Sequence, residues 1–434
     1  MVKGEIIDVA VVGAGASGLM AACAASEYAG NRKISVVLLE RNDKPGRKLS
    51  LTGKGRCNIT NNAEKEQFML NIPGNGKFLF SALSRFSNRD IVAFFEQIGV
   101  GVTLERGGRY FAKSGVAREV SDSLARRVAL NGATIRCGCR IVSVEKSPHC
   151  VTDIRGGALY PFLLKTAEGR EIYSRTVIVA TGGISYPATG STGDGYGFAE
   201  RFGHTVIAPR PSLVPLETCE TWPGDLAGLT LKNVTLRLFT RDGKKVFSKL
   251  GEMLFTHFGI SGPLVLSGSR ALLECGFAGS EARIDLKPGL SDEKLQARIN
   301  RDFALYSKKR LKNSMDDLLP SRLISVIIAE AGLDPETRTD CVGKAGIAKL
   351  SETMKGLKLK IKASRPASES IVTAGGVKTS EINPSSMESR LVPGLFFCGE
   401  LIDVDAYTGG FNLTIAFSTG RLSGVSAARS ALRV

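Results

Sequence analysis

The first residues whose types and spacing could do chemistry are Gly13-Ala14-Gly15-Ala16-Ser17-Gly18. They follow the β-branched run Ile6–Val12 and open an Ala-rich stretch that predicts a helix over Ala16–Ala29. A second apolar run, Ile34–Leu39, ends at Glu40, 22 residues beyond Gly18. Together these make a βαβ unit. In such a unit the first glycine allows a tight turn, the second lets backbone approach a pyrophosphate, and the third packs helix on strand. The helix start at Ala16, Ser17 and Gly18 offers unpaired N–H groups and the positive end of its dipole to phosphate. Glu40, followed by Arg41, would accept hydrogen bonds from ribose hydroxyls and repel a 2′-phosphate, so the site suits FAD or NAD rather than NADP.

Glycine loops far along the chain choose between the two. Phe396-Phe397-Cys398-Gly399-Glu400 reads as a strand and a turn bearing a carboxylate, a partner for ribityl hydroxyls. Gly409-Gly410-Phe411-Asn412 precedes an apolar helix from Leu413, whose N-terminus would stabilise negative charge at the pyrimidine edge of a reduced flavin. An NAD site needs no distant C-terminal segment, whereas FAD is long enough to need one. The 49 glycines fit a molecule that requires close backbone approach.

Five blocks, the last of them already met, stand in order along the chain: Gly46-Arg47-Lys48 with Thr52-Gly53-Lys54-Gly55-Arg56-Cys57-Asn58-Ile59-Thr60-Asn61; Ala180-Thr181-Gly182-Gly183 with Thr189–Gly195; Leu254–Pro263; Thr373–Val377; and Gly399-Glu400 through Asn412. With these blocks the sequence resembles the BaiN-like family of NAD(P)/FAD-dependent oxidoreductases over nearly its full length. The resemblance implies an α/β fold, in which a Rossmann-type FAD-binding domain (1–200 and 365–434) is interrupted by a β-barrel-like module (201–288 and 345–364) carrying a small helical insert (289–344). It implies FAD as cofactor and NAD(P)H as a diffusible electron donor. Thr181, Gly182, Gly183, Gly53, Gly55, Asn58, Gly410 and Phe411 are its implied cofactor contacts. Two positions depart from the family pattern: Lys54 stands inside a run that often reads Gly-Gly-Gly, and Tyr407 puts an aromatic ahead of Thr408-Gly409-Gly410.

Arg47, Lys48 and Arg56 are positioned to neutralise a pyrophosphate or bond flavin carbonyls, with surface ion pairing as the alternative. Cys57 has no thiol close in sequence and reads as a small buried residue rather than a redox centre. Cys137-Gly138-Cys139 reads as a strand with both thiols on one face. Of the three histidines, His257 is the candidate acid, because an imidazole exchanges protons near neutral pH; hydrogen bonding to a Gly/Ser turn is its structural alternative. Tyr407 is the alternative proton donor. His204 reads as a helix-end cap and His149 as a turn residue. Gly190, Gly193, Gly195 and Gly197 read as wrapping the first cofactor, since no acidic ribose partner ends a strand after them.

The elements that must position these groups are legible in outline. Helical patterns cover Lys77–Phe86, Asn88–Ile98 and Ala117–Leu130; short strands cover Thr134–Arg136, Ile141–Val144, Phe162–Thr166 and Thr176–Ala180. Alternation from Leu229 to Leu238, a turn at Asp242-Gly243 and then Val246-Phe247 predict a hairpin. Leu295, Ile299, Phe303 and Tyr306, and then Leu323, Ile324, Ile327 and Ile328, predict two helices.

A chain of 434 residues exceeds a single core. No stretch is apolar enough to span a membrane, and nine cysteines without CxxC pairs suit reduced thiols, so a cytoplasmic location is expected. The net charge is +16, and Lys294–Lys312 and Lys344–Arg365 each hold seven Lys/Arg against one acid. This basic lobe reads as a solvated face or a charged edge strand around Lys358, Lys360 and Lys362. The function expected is hydride relay from NAD(P)H through flavin N5 to a small organic acceptor with a conjugated C=C or C=N bond. Two alternatives compete: a flavin-dependent RNA-modifying enzyme using the basic insert, which few neighbouring aromatics would serve, and a non-enzymatic redox sensor.

Overall fold

The computed structural model describes residues 4–148, 151–152 and 159–433, so His149 lies outside the described residues. The chain divides into two compact units, 1–211 with 370–434 and 212–369.

The first unit is built on a seven-stranded sheet. Its parallel part runs Thr134–Arg136, Val36–Leu39, Glu5–Val12, Glu171–Val179, with Leu395–Phe397 beside the last three residues of Glu171–Val179. Phe162–Thr166 and Ile141–Lys146 continue it antiparallel. Val9 pairs with Val36 and Val12 with Leu39, so the first two strands end together and deliver Gly13 and Glu40 to the same sheet edge. Val36–Leu39 is buried at every position, as expected of a parallel strand covered on both faces.

The helices Ala16–Ala29 and Ala117–Leu130 form over the predicted residues. The apolar helix expected from Leu413 is a 21-residue helix, Phe411–Ala431, packed on Ala16–Ala29. Two of its glycines allow that approach: a Cβ at Gly420 would overlap the Ser17 carbonyl oxygen, and one at Gly424 that of Ala21. Asn58–Asn61, Arg109–Ala112 and Val102–Glu105 form a separate three-stranded sheet that periodicity does not reveal.

The second unit contains a closed barrel, in the order Leu216–Thr218, Gly259–Ser261, Lys245–Thr256, Thr230–Phe239, Glu281–Asp285, Leu357–Ser364. The predicted hairpin is present, with register shifts near Val234 and Phe239. Helices Asp292–Leu305, Ser321–Glu330 and Lys344–Lys355 lie between the last two barrel strands in sequence, and Leu295, Ile299, Leu323, Ile327 and Leu350 share a core with the barrel.

Several sequence expectations need correction. Lys358, Lys360 and Lys362 are on a barrel strand paired on both sides, so they form a solvated outer face and not an edge. Tyr306 falls just past its helix, as the C-cap residue. Cys137-Gly138-Cys139 is a turn after the strand Thr134–Arg136, with Gly138 at φ +68°. The helix end near His204 is closed by Gly203 in the left-handed region, while the His204 ring is buried against Phe397, with Nε2 2.7 Å from Ser389 Oγ. The charge excess is not concentrated in the second unit either: residues 212–369 hold 25 Lys/Arg and 19 Asp/Glu, leaving 33 and 23 in the first. Acidic stretches between the basic segments offset them.

Candidate active site

At the first turn the backbone has little freedom. Gly13 adopts φ +101°, and a Cβ there would lie 2.7 Å from the Ala180 carbonyl oxygen; a Cβ at Gly18 would overlap the Gly13 carbonyl. Gly15 differs, because a Cβ would meet nothing within 4 Å. The turn is therefore closed on the protein side at Gly13 and Gly18 and open in front of Gly15, where the Ala16–Ala29 helix begins. This is the space a pyrophosphate needs. The residues present thus fit a dinucleotide such as FAD.

Glu40, at 6% exposure, spans the turn. One carboxylate oxygen accepts the Ala14 N–H at 2.7 Å; the other accepts the Asn42 backbone N–H at 2.8 Å and its Nδ2 at 2.7 Å. It holds the turn's shape as well as standing where a ribose partner is expected. Arg41 reaches across to Thr192 Oγ1 at 2.6 Å and Asp194 at 3.2 Å, and Asn42 Nδ2 donates to the Thr189 carbonyl at 3.0 Å. These contacts dock the loop containing Gly190 and Gly193 onto the segment after Glu40.

Beyond the sheet edge lies a half-buried ionic cluster. Glu400 Oε2 pairs with Lys48 Nζ at 2.5 Å, and Oε1 accepts from Ser185 Oγ at 2.5 Å and from the Thr373 N–H and Oγ1, each at 2.9 Å. Gly183 has no room for a side chain, since a Cβ would overlap Thr373 Oγ1. A Cβ at Gly182 would stand 2.9 Å from Ser191 Oγ, and Thr181 Oγ1 is buried without a hydrogen-bond partner among the described residues. Gly399, at φ +75°, has no room for a Cβ beside Ser17 Oγ. Ser185 and Thr373 complete this cluster and were not singled out from sequence. Thr373 opens one of the glycine-rich blocks and Ser185 falls between two others, and neither hydroxyl carries a periodic signal.

The other end gathers around the start of the Phe411–Ala431 helix. Gly410 caps it at φ +99°, and a Cβ there would lie 2.5 Å from the Thr60 carbonyl. Thr60 Oγ1 is 2.7 Å from Thr414 Oγ1, and Asn61 Nδ2 donates to the Gly409 carbonyl at 2.8 Å. Phe411 stacks edge-on with Phe68. Asn412 is tied to the preceding loop through the Ala406 N–H and carbonyl, and its Nδ2 donates to the carbonyl of half-buried Tyr407. The strand Asn58–Asn61 thereby links the Thr52–Arg56 loop to the helix N-terminus, and Asn58 Oδ1 is buried with no hydrogen-bond partner among the described residues.

The remaining cations are committed differently from one another. Arg47 donates to Asn42 Oδ1 at 3.1 Å. Arg56 pairs with Glu105 and lies 4.4 Å over the Phe111 ring. Gly53, Lys54 and Gly55 are all left-handed. Cys57 is 0% exposed, and burial pushes its thiol up to about 12 against a smaller opposing hydrogen bond from Thr52. His257 belongs to the second unit, exposed in the turn between the barrel strands Lys245–Thr256 and Gly259–Ser261, with its ring 4.9 Å from that of Phe258.

A family model described as the HI0933-like protein Rossmann domain matches residues 7–426. The chain belongs to this family of FAD-dependent oxidoreductases. The BaiN-like resemblance is borne out. Among curated relatives of this HI0933-like chain, a ribosomal RNA dihydrouridine synthase of Escherichia coli is 30% identical over 96% of the chain and 96% of its own length. A protein of the same name from Haemophilus influenzae is 31% identical, covering 96% and 98%. A 3-dehydro-bile acid delta(4,6)-reductase of Clostridium scindens is 29% identical, covering 97% and 98%. Among solved structures, an FrdA variant of Escherichia coli quinol fumarate reductase aligns with TM-score 0.51 at 15% identity, over 100% of this chain and 71% of that one, which is a likeness of fold. Among the described residues no helix is long and apolar enough to cross a membrane.

Proposed function

We propose that this HI0933-like chain reduces a carbon–carbon double bond conjugated to a carbonyl in a small organic acceptor, using FAD charged by NAD(P)H. The observation that carries the reading is a chemistry shared by relatives matched over 96–97% of the chain. A dihydrouridine is uridine with two hydrogens added across a C=C bond conjugated to a carbonyl, and a delta(4,6)-reductase by its name acts on C=C bonds.

FAD, when bound, supplies the two-electron transfer. The turn Gly13–Gly18 and Glu40 would hold its adenosine and pyrophosphate half; Thr181–Gly183, Gly399, Glu400, Asn58 and Gly410–Asn412 would hold the flavin half. The first N–H groups of the Phe411–Ala431 helix stabilise negative charge placed before them. His257 or Tyr407 holds the proton for the acceptor carbon next to the carbonyl, at a ring nitrogen or at Oη. Anaerobic mixing with NADH and NADPH tests the donor half: bleaching of the visible flavin bands is expected, and a flavin that stays oxidised with both overturns that half.

An RNA acceptor is the second reading, favoured by the names of two relatives. The even spread of charge between the units weakens the case for the insert as an RNA platform. Salt-sensitive co-purification of RNA would favour it.

A further inference from the structure

We infer that Lys54 is a specificity-determining residue that binds an anionic group on the electron acceptor, an assignment that rests on the reductase reading above. Lys54 holds φ +58° and ψ +43°, between Gly53 at φ +59° and Gly55 at φ +83°. A left-handed conformation burdens a side-chain-bearing residue and not a glycine. The cost is not recovered by a contact, because among the described residues the Lys54 ammonium has no recorded ion pair or hydrogen bond and the residue is exposed. Its neighbours are differently placed: Lys48 is bound to Glu400, Arg56 to Glu105 and the Phe111 face, and Arg47 to Asn42. Lys54 is thus the uncommitted cation of this segment.

The loop's position gives that cation a use. A Cβ at Gly53 would lie 3.0 Å from the Asn58 N, and the strand beginning at Asn58 is bonded through Thr60 and Asn61 to the start of the Phe411–Ala431 helix. Lys54 therefore stands on a loop anchored to the proposed flavin end. Exposed Leu51 lies three residues before it in the same segment. The anionic group is a carboxylate of a small molecule or a phosphate of a nucleic acid; both are point acceptors for an ammonium.

The test compares the FAD-loaded parent, Lys54→Gly and Lys54→Arg with 4-oxopent-2-enoate, its methyl ester and a uridine oligonucleotide. The acid and ester share one conjugated C=C bond and differ in charge. Lys54→Gly should lower the acid-over-ester preference in kcat/KM roughly fivefold, while Lys54→Arg largely restores it. Its thermal midpoint should be no lower than the parent's, because glycine relieves the left-handed strain. Binding to the oxidised enzyme, read as perturbation of the flavin spectrum, gives a readout that needs no turnover. Weakened binding of the acid supports the carboxylate source, and weakened binding of the oligonucleotide alone supports the phosphate source. If neither acceptor is reduced but anion binding still depends on Lys54, the reductase reading fails and the anion site stands. Equal dissociation constants for every anion in parent and Lys54→Gly overturn the inference.

Discussion

Gly15 and Gly18 sit three residues apart, yet their substitutions should fail in different ways. A methyl at Gly18 collides with the Gly13 carbonyl, so Gly18→Ala should lose folded protein. A methyl at Gly15 meets only open space, so Gly15→Ala should fold with a normal circular dichroism spectrum and lose FAD. Retention of FAD by purified Gly15→Ala would place the pyrophosphate elsewhere. Glu40→Ala removes both the proposed ribose acceptor and the bonds to Ala14 and Asn42. Apoprotein titration should show FAD binding weakened by about 1–3 kcal/mol. Thiol chemistry should follow burial: at pH 8 iodoacetamide should label exposed Cys137, Cys219, Cys275 and Cys341 in the native protein and spare Cys57. Rapid labelling of Cys57 would show that its site opens. His204 adds a pH dependence. Burial lowers its pKa below the ordinary value and outweighs the Glu381 carboxylate 3.2 Å from Nδ1, so the unfolded chain takes up the proton more readily. The stabilisation is complete above about pH 6.5 and is lost as pH falls below it, while His204→Gln should flatten that slope in urea titrations.

Between the Phe411–Ala431 and Ala16–Ala29 helices, contact depends on two missing side chains. Gly424→Val should force the helices apart, destabilising the protein by about 1–3 kcal/mol and displacing the helix start proposed to face the pyrophosphate. A urea midpoint equal to the parent's would show that the interface has slack. These elements also mark how far the sequence is legible. Ala16–Ala29 is set by its alanines between the glycine turn and a second apolar run, Ala117–Leu130 and the Thr230–Phe239 hairpin by their periodicity, and all stand where the sequence puts them. Asn58–Asn61 is short, polar in three of four positions, and preceded by a left-handed run, so alternation has nothing to act on. The Lys48–Glu400–Ser185–Thr373 cluster joins residues up to 352 apart, and only the fold brings them together.

Over the whole molecule, +16 is a diffuse field rather than a patch. Reversing three lysines between Lys294 and Lys312 should reduce adsorption to polyanions and leave flavin reduction unaltered. The proton donor is a whole-molecule question as well, because His257 and Tyr407 belong to different units. A true donor, replaced in His257→Ala or Tyr407→Phe, should slow flavin reoxidation by the acceptor and leave NAD(P)H-driven reduction nearly unchanged. The central claim is that electrons held by FAD in this chain saturate a conjugated C=C bond. The most direct measurement reduces the FAD-loaded protein anaerobically and mixes it with one equivalent of 4-oxopent-2-enoate, following flavin absorbance and product by mass together. The account predicts that the visible flavin bands return in step with one equivalent of saturated 4-oxopentanoate. Recovery of the bands without the saturated product, or a flavin that stays reduced with this acceptor, its methyl ester and uridine RNA alike, would contradict it.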